Sequence, residues 1–279
     1  MELEAILKPV SREMSEVETQ IRRYVFGDGK VVADLGRYVF DSPGKMLRPA
    51  LTLLSARVGS KNRTQAIKLA AALEMIHTAT LVQDDVIDAA DLRRGISAFH
   101  KKWGDRLAIL FGDYLYSKSF AVLAALGNVK VLDSISATTN QLCLGEMEQL
   151  KKAKTFLTEK VYLRIIERKT AALFAACGEA GGIVGGATPA QTKALKQFGL
   201  NFGLAFQIID DCLDYASTSE KTGKSVGLDK RVGKITLPVI YGSLDKAIAK
   251  ARFFMVRANR SFEAKSFSQL GDYVLSRVS

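Results

Sequence analysis

The sequence QDDVID at residues 83–88 recurs in the same form as IDDCLD at residues 209–214. Each stretch ends a long apolar segment with helical periodicity and places carboxylates at positions i, i+1 and i+4. Residues four apart on a helix lie on the same face, so the first and last aspartates of each cluster point the same way and repel each other. Two such clusters at the ends of apolar helices predict that a cation binds there.

Helical spacing of apolar residues continues through most of the chain, and no segment alternates between apolar and polar residues over the length of a strand. The hydrophobic content of 48% and the charged content of 25% are typical of a folded globular protein. No low-complexity linker or break in composition marks a domain boundary. We therefore predict an all-α fold in which residues 1–279 form a single domain, with the helices packed around a core as in other bundles.

The boundaries of the helices are predicted from the extent of each periodic segment. They cover residues 1–26, 31–40, 49–58, 66–88, 105–126, 129–151, 158–178 and 190–216. Thr64 is the predicted N-cap of the fourth helix, because a threonine hydroxyl can accept a hydrogen bond from a free N–H group of the first turn. The glycines between residues 181 and 186 predict a turn.

The net charge of +11 is compatible with nucleic acid, an anionic membrane surface or small anionic substrates as a partner. The basic residues do not form a run interleaved with aromatic residues, so we predict no nucleic-acid partner. The most apolar tract, residues 171–187, is rich in glycine and interrupted by Glu179, so we predict no transmembrane segment. The absence of a signal-peptide pattern and of metal-type cysteine spacing predicts a cytoplasmic protein.

The acidic clusters offer oxygen ligands without a cluster of histidine or cysteine, which favours a hard cation. Magnesium in particular is bound by a few carboxylates together with water and substrate phosphates. Basic residues that could hold phosphates occur nearby; Lys45 and Arg48 lie at the start of a predicted helix, where backbone N–H groups also favour anions. His77 precedes the first cluster by two helical turns on nearly the same face.

Six segments of the chain resemble the trans-isoprenyl diphosphate synthase (polyprenyl synthetase) family. In chain order they are PGKMLRP, EMIHTATLVQDDVIDAADLRRG, GEMEQL, RKTAALF, FQIIDDCLDY and GKSVGLDKRVGKITLP. The resemblance extends from about residue 20 to residue 241. The segments LKPVSREMSEVETQI and EMIHTATLV are most similar to the medium- and long-chain bacterial enzymes, such as octaprenyl diphosphate synthases.

The resemblance implies a fold of the isoprenoid synthase type, which is an antiparallel helical bundle around a central active-site cavity. It also implies a set of site residues. Magnesium would be bound as three ions, two by Asp84 and Asp88 and a third by Asp210, with Asp85, Asp211 and Asp214 completing the motifs. The residues implied around the allylic diphosphate are Arg93, Lys169, Thr170, Gln207, Lys224 and Lys234. Those implied around the diphosphate of isopentenyl diphosphate are Lys45, Arg48, His77 and Arg94.

The implied reaction joins isopentenyl diphosphate to the allylic diphosphate, and its product length would depend on the small residues Ala79 and Thr80. Thr80 lies within about 40° of Asp84 around the helix. In the family, aromatic residues at these positions close the tunnel for the growing chain, so the small ones predict all-trans products of the C30–C50 class. The family implies a homodimer, with a heteromer as the second possibility.

Three alternatives remain at this stage. A short-chain synthase that makes farnesyl or geranylgeranyl diphosphate would use the same chemistry. A non-catalytic regulatory subunit of a heteromeric synthase would usually have lost motif aspartates, whereas all six are present here. A class I terpene cyclase would carry a different second metal motif.

The chain departs from the family pattern at a few positions. Gln83 stands where many members have histidine, and Lys230 and Val232 replace a leucine and an acidic residue in the segment near the allylic diphosphate. After Pro238 the sequence is short by one or two helices, so we predict a shortened C-terminal part of the domain.

Overall fold

The computed structural model describes residues 2–41, 44–59, 62–152, 157–217 and 235–278. Within these ranges the chain consists of helices, short connections and one two-stranded hairpin, so the predicted all-α class is confirmed. The α-helices are α1 (Leu3–Leu7), α2 (Ser11–Phe26), α3 (Lys30–Phe40), α4 (Leu47–Gly59), α5 (Arg63–Ile87), α6 (Phe99–Trp103), α7 (Asp105–Ala125), α8 (Val129–Lys152), α9 (Glu159–Ile166), α10 (Ala172–Gly185), α11 (Pro189–Ser217), α12 (Leu237–Tyr241), α13 (Leu244–Ser261) and α14 (Lys265–Leu275). The shorter elements are 3-10 turns at Lys8–Val10 and Ser276–Val278, a π-helical segment at Glu167–Ala171, and strands β1 (Leu92–Arg93) and β2 (Ile96–Ser97).

Helices α5 and α10 form the centre of the bundle. A helix that is apolar around its whole circumference must be buried on all sides, and the run Ala70–Leu73 of α5 is 0% exposed. Helix α5 packs against α2, α4, α7 and α10, while α11 packs between α10 and α13. The outer helix α2 is amphipathic and buries only one stripe, formed by Val17, Ile21 and Val25. This arrangement places the C-terminal ends of α5 and α11, which carry the two acidic clusters, within one bundle.

Glycines allow the central helices to approach each other at backbone distance. A Cβ atom on Gly185 of α10 would lie 2.0 Å from Ala56 O of α4, and one on Gly59 would lie 2.1 Å from Gly185 O. On the other side of α10, a Cβ atom on Gly178 would lie 2.3 Å from Leu195 O of α11. The predicted turn at residues 181–186 is therefore wrong, because α10 continues through these glycines and ends at Gly186, whose φ is +78°.

The hairpin corrects the prediction that the chain has no sheet. Leu92 pairs with Ser97 and Arg93 pairs with Ile96 in antiparallel register. The connecting residues Arg94 and Gly95 have φ values of +52° and +81°, as a tight two-residue turn with the strand twist requires. Two-residue strands are too short for a period of two to be recognised in the sequence.

Three of the predicted helices also differ from the observed ones, two by an interruption and one at its start. The predicted helix 1–26 is interrupted at Lys8–Val10, where Pro9 has no N–H to donate. Helix α5 begins at Arg63 after Asn62, which has a φ of +51°, so Thr64 lies inside the first turn and is not the N-cap. The predicted helix 158–178 corresponds to α9, the π-helical segment Glu167–Ala171 and the first half of α10, which follow one another without a break.

Among the described residues, α7 is the one helix that is long and apolar enough to span a membrane by length and composition, with a mean hydropathy of 1.3 over its most apolar window. Its inner face, which includes Phe111 and Leu115, is buried where α7 packs against α5. A single such helix is weak evidence for a membrane span.

The contact between α4 and α10 generates a prediction for Gly185→Ala. Alanine at an ordinary helix position is favoured over glycine by about 1 kcal/mol. Here the added methyl would meet the Ala56 carbonyl, so we expect the free energy of unfolding to fall by about 1–3 kcal/mol. Urea unfolding should show this loss, whereas Ser136→Ala on the exposed face of α8 should not. A Gly185→Ala protein at least as stable as the parent would contradict the packing.

Candidate active site

The first acidic cluster lies where α5 ends. Asp84 and Asp85 belong to the last turn, and the backbone N–H of Asp88 donates to Asp84 O at 2.8 Å. Asp85 is 2% exposed and accepts hydrogen bonds from Arg93 Nε at 2.9 and 3.1 Å, so this pair anchors the hairpin to α5. Asp84 lies on a different face of the helix, with its Oδ2 3.7 Å from Lys169 Nζ.

The turn of the hairpin places Arg94 beside the segment that leads into α4. A Cβ atom on Gly44 would lie 2.5 Å from Arg94 Nη2, so glycine leaves the room that the guanidinium occupies. The next residue, Lys45, is exposed, and its Nζ lies 5.2 Å from the ring centroid of Tyr273 in α14. Two of the predicted diphosphate-binding cations, Lys45 and Arg94, therefore flank one short segment.

Arg48 and His77 form a polar pair between α4 and α5, in which Arg48 is buried and His77 is half-buried. Arg48 Nη1 lies 3.0 Å from His77 Nε2, and its guanidinium carbon lies 4.4 Å from the ring centroid of Phe174. Burial, together with the charge of Arg48, holds the pKa of His77 well below its usual range, so the neutral imidazole can accept the hydrogen bond at Nε2. Arg48 Nε is buried and has no hydrogen-bond partner, which leaves this N–H available to an anion.

Glu74 is a buried acid beside these cations that the sequence did not reveal. It is 5% exposed, and its Oε2 has no hydrogen-bond partner. It lines a pocket together with Gly44, Thr78 and Arg94. Burial raises the pKa of Glu74 to about 7, although the charges of Arg48 and Arg94 oppose this shift.

Lys169 lies in the π-helical segment between α9 and α10. Such segments are rare and often occur at functional sites. The ammonium group of Lys169 forms an ion pair with Glu146 of α8 and also faces Asp84. Burial alone would lower the pKa of Lys169, but Asp84 and Glu146 outweigh burial and raise it, so the side chain stays charged. The close approach of α8 depends on Gly145, where a Cβ atom would lie 2.8 Å from Lys169 N.

The second acidic cluster divides into two environments. Asp211 is 6% exposed and accepts hydrogen bonds from Tyr162 Oη at 2.5 Å and Gln207 Nε2 at 2.8 Å. Gln207 Oε1 in turn accepts a hydrogen bond from Thr170 Oγ1 at 2.7 Å. This chain of hydrogen bonds ties the π-helical segment to α11. Gln207 and Thr170 therefore hold the second cluster in place in this structure.

Asp210 lies on another face of α11 and forms an ion pair with Arg277, with 2.7 Å between Oδ1 and Nη1. Burial raises the pKa of Asp210, and the neighbouring Arg277, Lys45 and Arg48 oppose that shift. Asp214 follows one helical turn later and is half-buried. The predicted residues Lys224 and Lys234 lie outside the described residues, as do Lys230 and Val232.

The donor set of the two clusters fits magnesium. The predicted metal ligands Asp84, Asp88 and Asp210 supply only carboxylate oxygen. No three histidine, cysteine, aspartate or glutamate side chains within the described ranges are grouped closely enough to enclose a metal ion. Magnesium is commonly bound by one or two carboxylates together with water and phosphate oxygens, so these aspartates could hold it with a diphosphate completing the coordination.

Several residues of the site were missed at the sequence level. Glu146 lies in the segment GEMEQL, which was noted for its resemblance but not for a role. Tyr162 and Glu74 have no local pattern that marks them, because their importance depends on contacts with other helices. Arg277 is 67 positions beyond its partner Asp210 in the sequence (277 − 210).

Comparisons with known proteins identify the family of the chain. The family model for polyprenyl synthetases matches residues 29–267. Component 2 of the heptaprenyl diphosphate synthase of Geobacillus stearothermophilus is 39% identical over 252 residues, which cover 90% of this chain and 79% of that protein. The octaprenyl diphosphate synthase of Escherichia coli is 38% identical over 242 residues, covering 86% and 75%. The crystal structure of a polyprenyl synthase from Caulobacter crescentus, complexed with calcium and isoprenyl diphosphate, has a TM-score of 0.94 at 32% identity and covers 100% of this chain and 98% of that one.

The buried carboxyl of Glu74 generates a prediction about pH. Its folded-state pKa of about 7 lies above the ordinary value of 4.5. Below about pH 4.5 the carboxyl is neutral and does not lower the free energy of unfolding. As the pH rises through 7 the buried carboxyl ionises, and the free energy of unfolding falls. Relative to Glu74→Gln, the free energy of unfolding of the parent should fall by roughly 3 kcal/mol between pH 4.5 and 8.

Urea unfolding of both proteins at several pH values measures this difference. Glu263→Gln, which changes an exposed glutamate, should show no comparable pH dependence. A difference between the parent and Glu74→Gln that stays constant from pH 5 to 8 would contradict the assignment.

Proposed function

Because the chain belongs to the polyprenyl synthetase family, we propose that it is a prenyltransferase that condenses isopentenyl diphosphate with an allylic diphosphate and extends an all-trans polyprenyl diphosphate. One observation carries this proposal: adjacent residues of the π-helical segment connect to both acidic clusters, one directly and one through a glutamine. Lys169 faces Asp84 of the first cluster, and Thr170 bonds to Gln207, which holds Asp211 of the second. This connection supports a shared space between the two clusters.

The allylic diphosphate would bind between the two acidic clusters. Magnesium, when bound by Asp84, Asp88 and Asp210, would neutralise the charge that develops on the departing diphosphate. We propose three ions, as the family resemblance implies. Lys169, kept charged by its acidic neighbours, would contact the same diphosphate from the opposite side. Arg93 would support this site by holding the hairpin against Asp85.

The second substrate would bind at the cations near the start of α4. Lys45 and Arg94 flank Gly44, and the unpartnered Nε of Arg48 offers a buried donor to a diphosphate oxygen. The neutral His77 would fix the orientation of the Arg48 guanidinium through its Nε2 acceptor. The ring of Phe174 covers one face of that guanidinium and keeps water away from it. Two separate groups of cations suit two diphosphate substrates.

Product length would be limited by the residues one turn before Asp84. Thr80 is half-buried and donates a hydrogen bond from Oγ1 to His77 O at 2.7 Å, so its side chain lies against the backbone of its own helix. Ala79 is 0% exposed and lies within the packed core. We propose that these small residues leave space for products of the C30–C50 class. The two relatives named above are heptaprenyl and octaprenyl synthases, which supports a long product.

We further propose that residues 1–279 form one domain with a shortened C-terminal part and that the protein is cytoplasmic. We also propose that two copies of the chain form a homodimer. Leu110 of α7 and Leu144, Met147 and Leu150 of α8 are exposed apolar side chains that a second copy could cover. The Geobacillus stearothermophilus relative is one component of a synthase, which favours a heteromer as the alternative. Sedimentation velocity of the purified chain distinguishes a dimer from a monomer that awaits another subunit.

The activity is tested by incubating the purified chain with magnesium, labelled isopentenyl diphosphate and farnesyl diphosphate. We expect a ladder of products that extends beyond C25 and disappears when the metal is chelated. Asp84→Asn should lower the rate by at least about 100-fold, because a metal-binding carboxylate is lost from a site that works by charge stabilisation. A folded protein without product would support the regulatory-subunit alternative.

The product-length assignment is tested with Thr80→Phe. A phenyl ring at this position would extend into the space beside Asp84, so the longest product should shorten while the rate of the first condensation stays within about a few-fold of the parent. Chromatography of the dephosphorylated products measures both quantities. Thr80→Ser is the matched control and should keep the parent product. An unchanged ladder from Thr80→Phe would contradict the assignment.

A further inference from the structure

Arg277 connects the last described turn of the chain to the second acidic cluster. It lies in the 3-10 turn Ser276–Val278, and its Nη1 is 2.7 Å from Asp210 Oδ1. Its guanidinium carbon also lies 5.4 Å from the ring centroid of Phe206, one turn before Asp210 on α11. The Arg277 side chain is 18% exposed, so both contacts are made in a partly desolvated setting.

The same part of the chain also reaches the other group of cations. Tyr273 precedes Arg277 by four residues, and its ring centroid lies 5.2 Å from Lys45 Nζ. Helix α14 packs against α11 and α4, which positions both residues at the site. The segment 273–277 therefore contacts one residue from each predicted diphosphate region.

Charge explains why a cation lies at Asp210. The side chain of Asp210 is 36% exposed, so its carboxylate is partly shielded from water, and a positive charge or hydrogen-bond donors beside it stabilise the charged form. Its neighbours on α11 do not supply such a charge, because the next residue, Asp211, is itself acidic and is held by Tyr162 and Gln207. In the chain alone, Arg277 forms the ion pair with Asp210, and the charges of Lys45 and Arg48 also act on this carboxylate.

We propose that Arg277 is a positioning residue that acts as the counter-cation of Asp210 until a divalent cation replaces it. A guanidinium and a divalent cation cannot both bind the same carboxylate oxygen without strong mutual repulsion. Binding of the divalent cation therefore displaces Arg277 from Asp210. The inference rests on the proposed function in that it takes Asp210 as a metal ligand.

Binding of manganese to the purified chain without substrate tests the proposal. The electron paramagnetic resonance signal of free Mn²⁺ gives the affinity directly, and no turnover is involved. We expect Arg277→Gln to bind Mn²⁺ about three- to tenfold more tightly than the parent, because the competing charge is gone. Arg277→Lys keeps a positive charge and should restore an affinity close to that of the parent.

Arg252→Gln is the matched control, since it removes the same charge from an exposed position on α13. It should leave the affinity unchanged within about twofold. Equal affinities for Arg277→Gln and Arg252→Gln would overturn the proposal. Thermal unfolding gives a second readout: Arg277→Gln should melt below the parent in EDTA, and saturating Mn²⁺ should close most of the gap. A gap of the same size with and without Mn²⁺ would mean that Arg277 has only a structural role.

Asp210→Asn separates failure of this proposal from failure of the proposed function. If Asp210 is a metal ligand, Asp210→Asn should weaken Mn²⁺ binding, and adding Arg277→Gln to it should have no further effect. Unchanged Mn²⁺ binding by Asp210→Asn alone would contradict the metal site itself. Weakened binding by Asp210→Asn, with Arg277→Gln equal to the parent, would contradict only the role of Arg277.

Discussion

Negative charge concentrated at the ends of helices α5 and α11 is the constraint on which the rest of the structure depends. Carboxylates that lose contact with water need positive charges or hydrogen-bond donors, or the folded state becomes unstable. Each cluster obtains positive charge from elements outside its own helix. Arg93 of the hairpin pairs with Asp85, Lys169 of the π-helical segment faces Asp84, and Arg277 pairs with Asp210. All three cations lie on the irregular elements of this helical protein.

The close packing of the central helices makes this compensation possible. Glycines bring α4, α10 and α11 to backbone distance, and Gly145 brings α8 against the π-helical segment. A larger residue at any of these contacts would push the helices apart, because no space for its side chain remains between them. Side chains such as Lys169 and Gln207 reach across the site only because the helices lie so close. The glycines that looked like a turn in the sequence therefore contribute to the geometry of the site.

Local patterns in the sequence predicted those parts of the fold and site that depend on local geometry. The helices follow from the period of 3.6, and the shared face of Asp84 and Asp88 follows from their spacing. The hairpin could not be predicted, because its strands have two residues each. The π-helical segment, Glu74 and Arg277 depend on contacts between helices that no local pattern encodes. The resemblance to a family named many basic residues of the site, but it did not indicate that Gln207 bonds to Asp211 in this structure.

Helix geometry also explains why the second aspartate of each cluster has different surroundings from the first. Successive residues on an α-helix are about 100° apart, so the second aspartate of each cluster faces sideways relative to the first. In both clusters this second residue is buried and bonded to a neighbouring element: Asp85 to Arg93 and Asp211 to Tyr162. The first aspartate of each cluster instead faces a cationic side chain across the proposed site. The repeated motif therefore combines one residue bonded to a neighbouring element with one that faces a cation, and the angle of about 100° between successive residues separates these two roles.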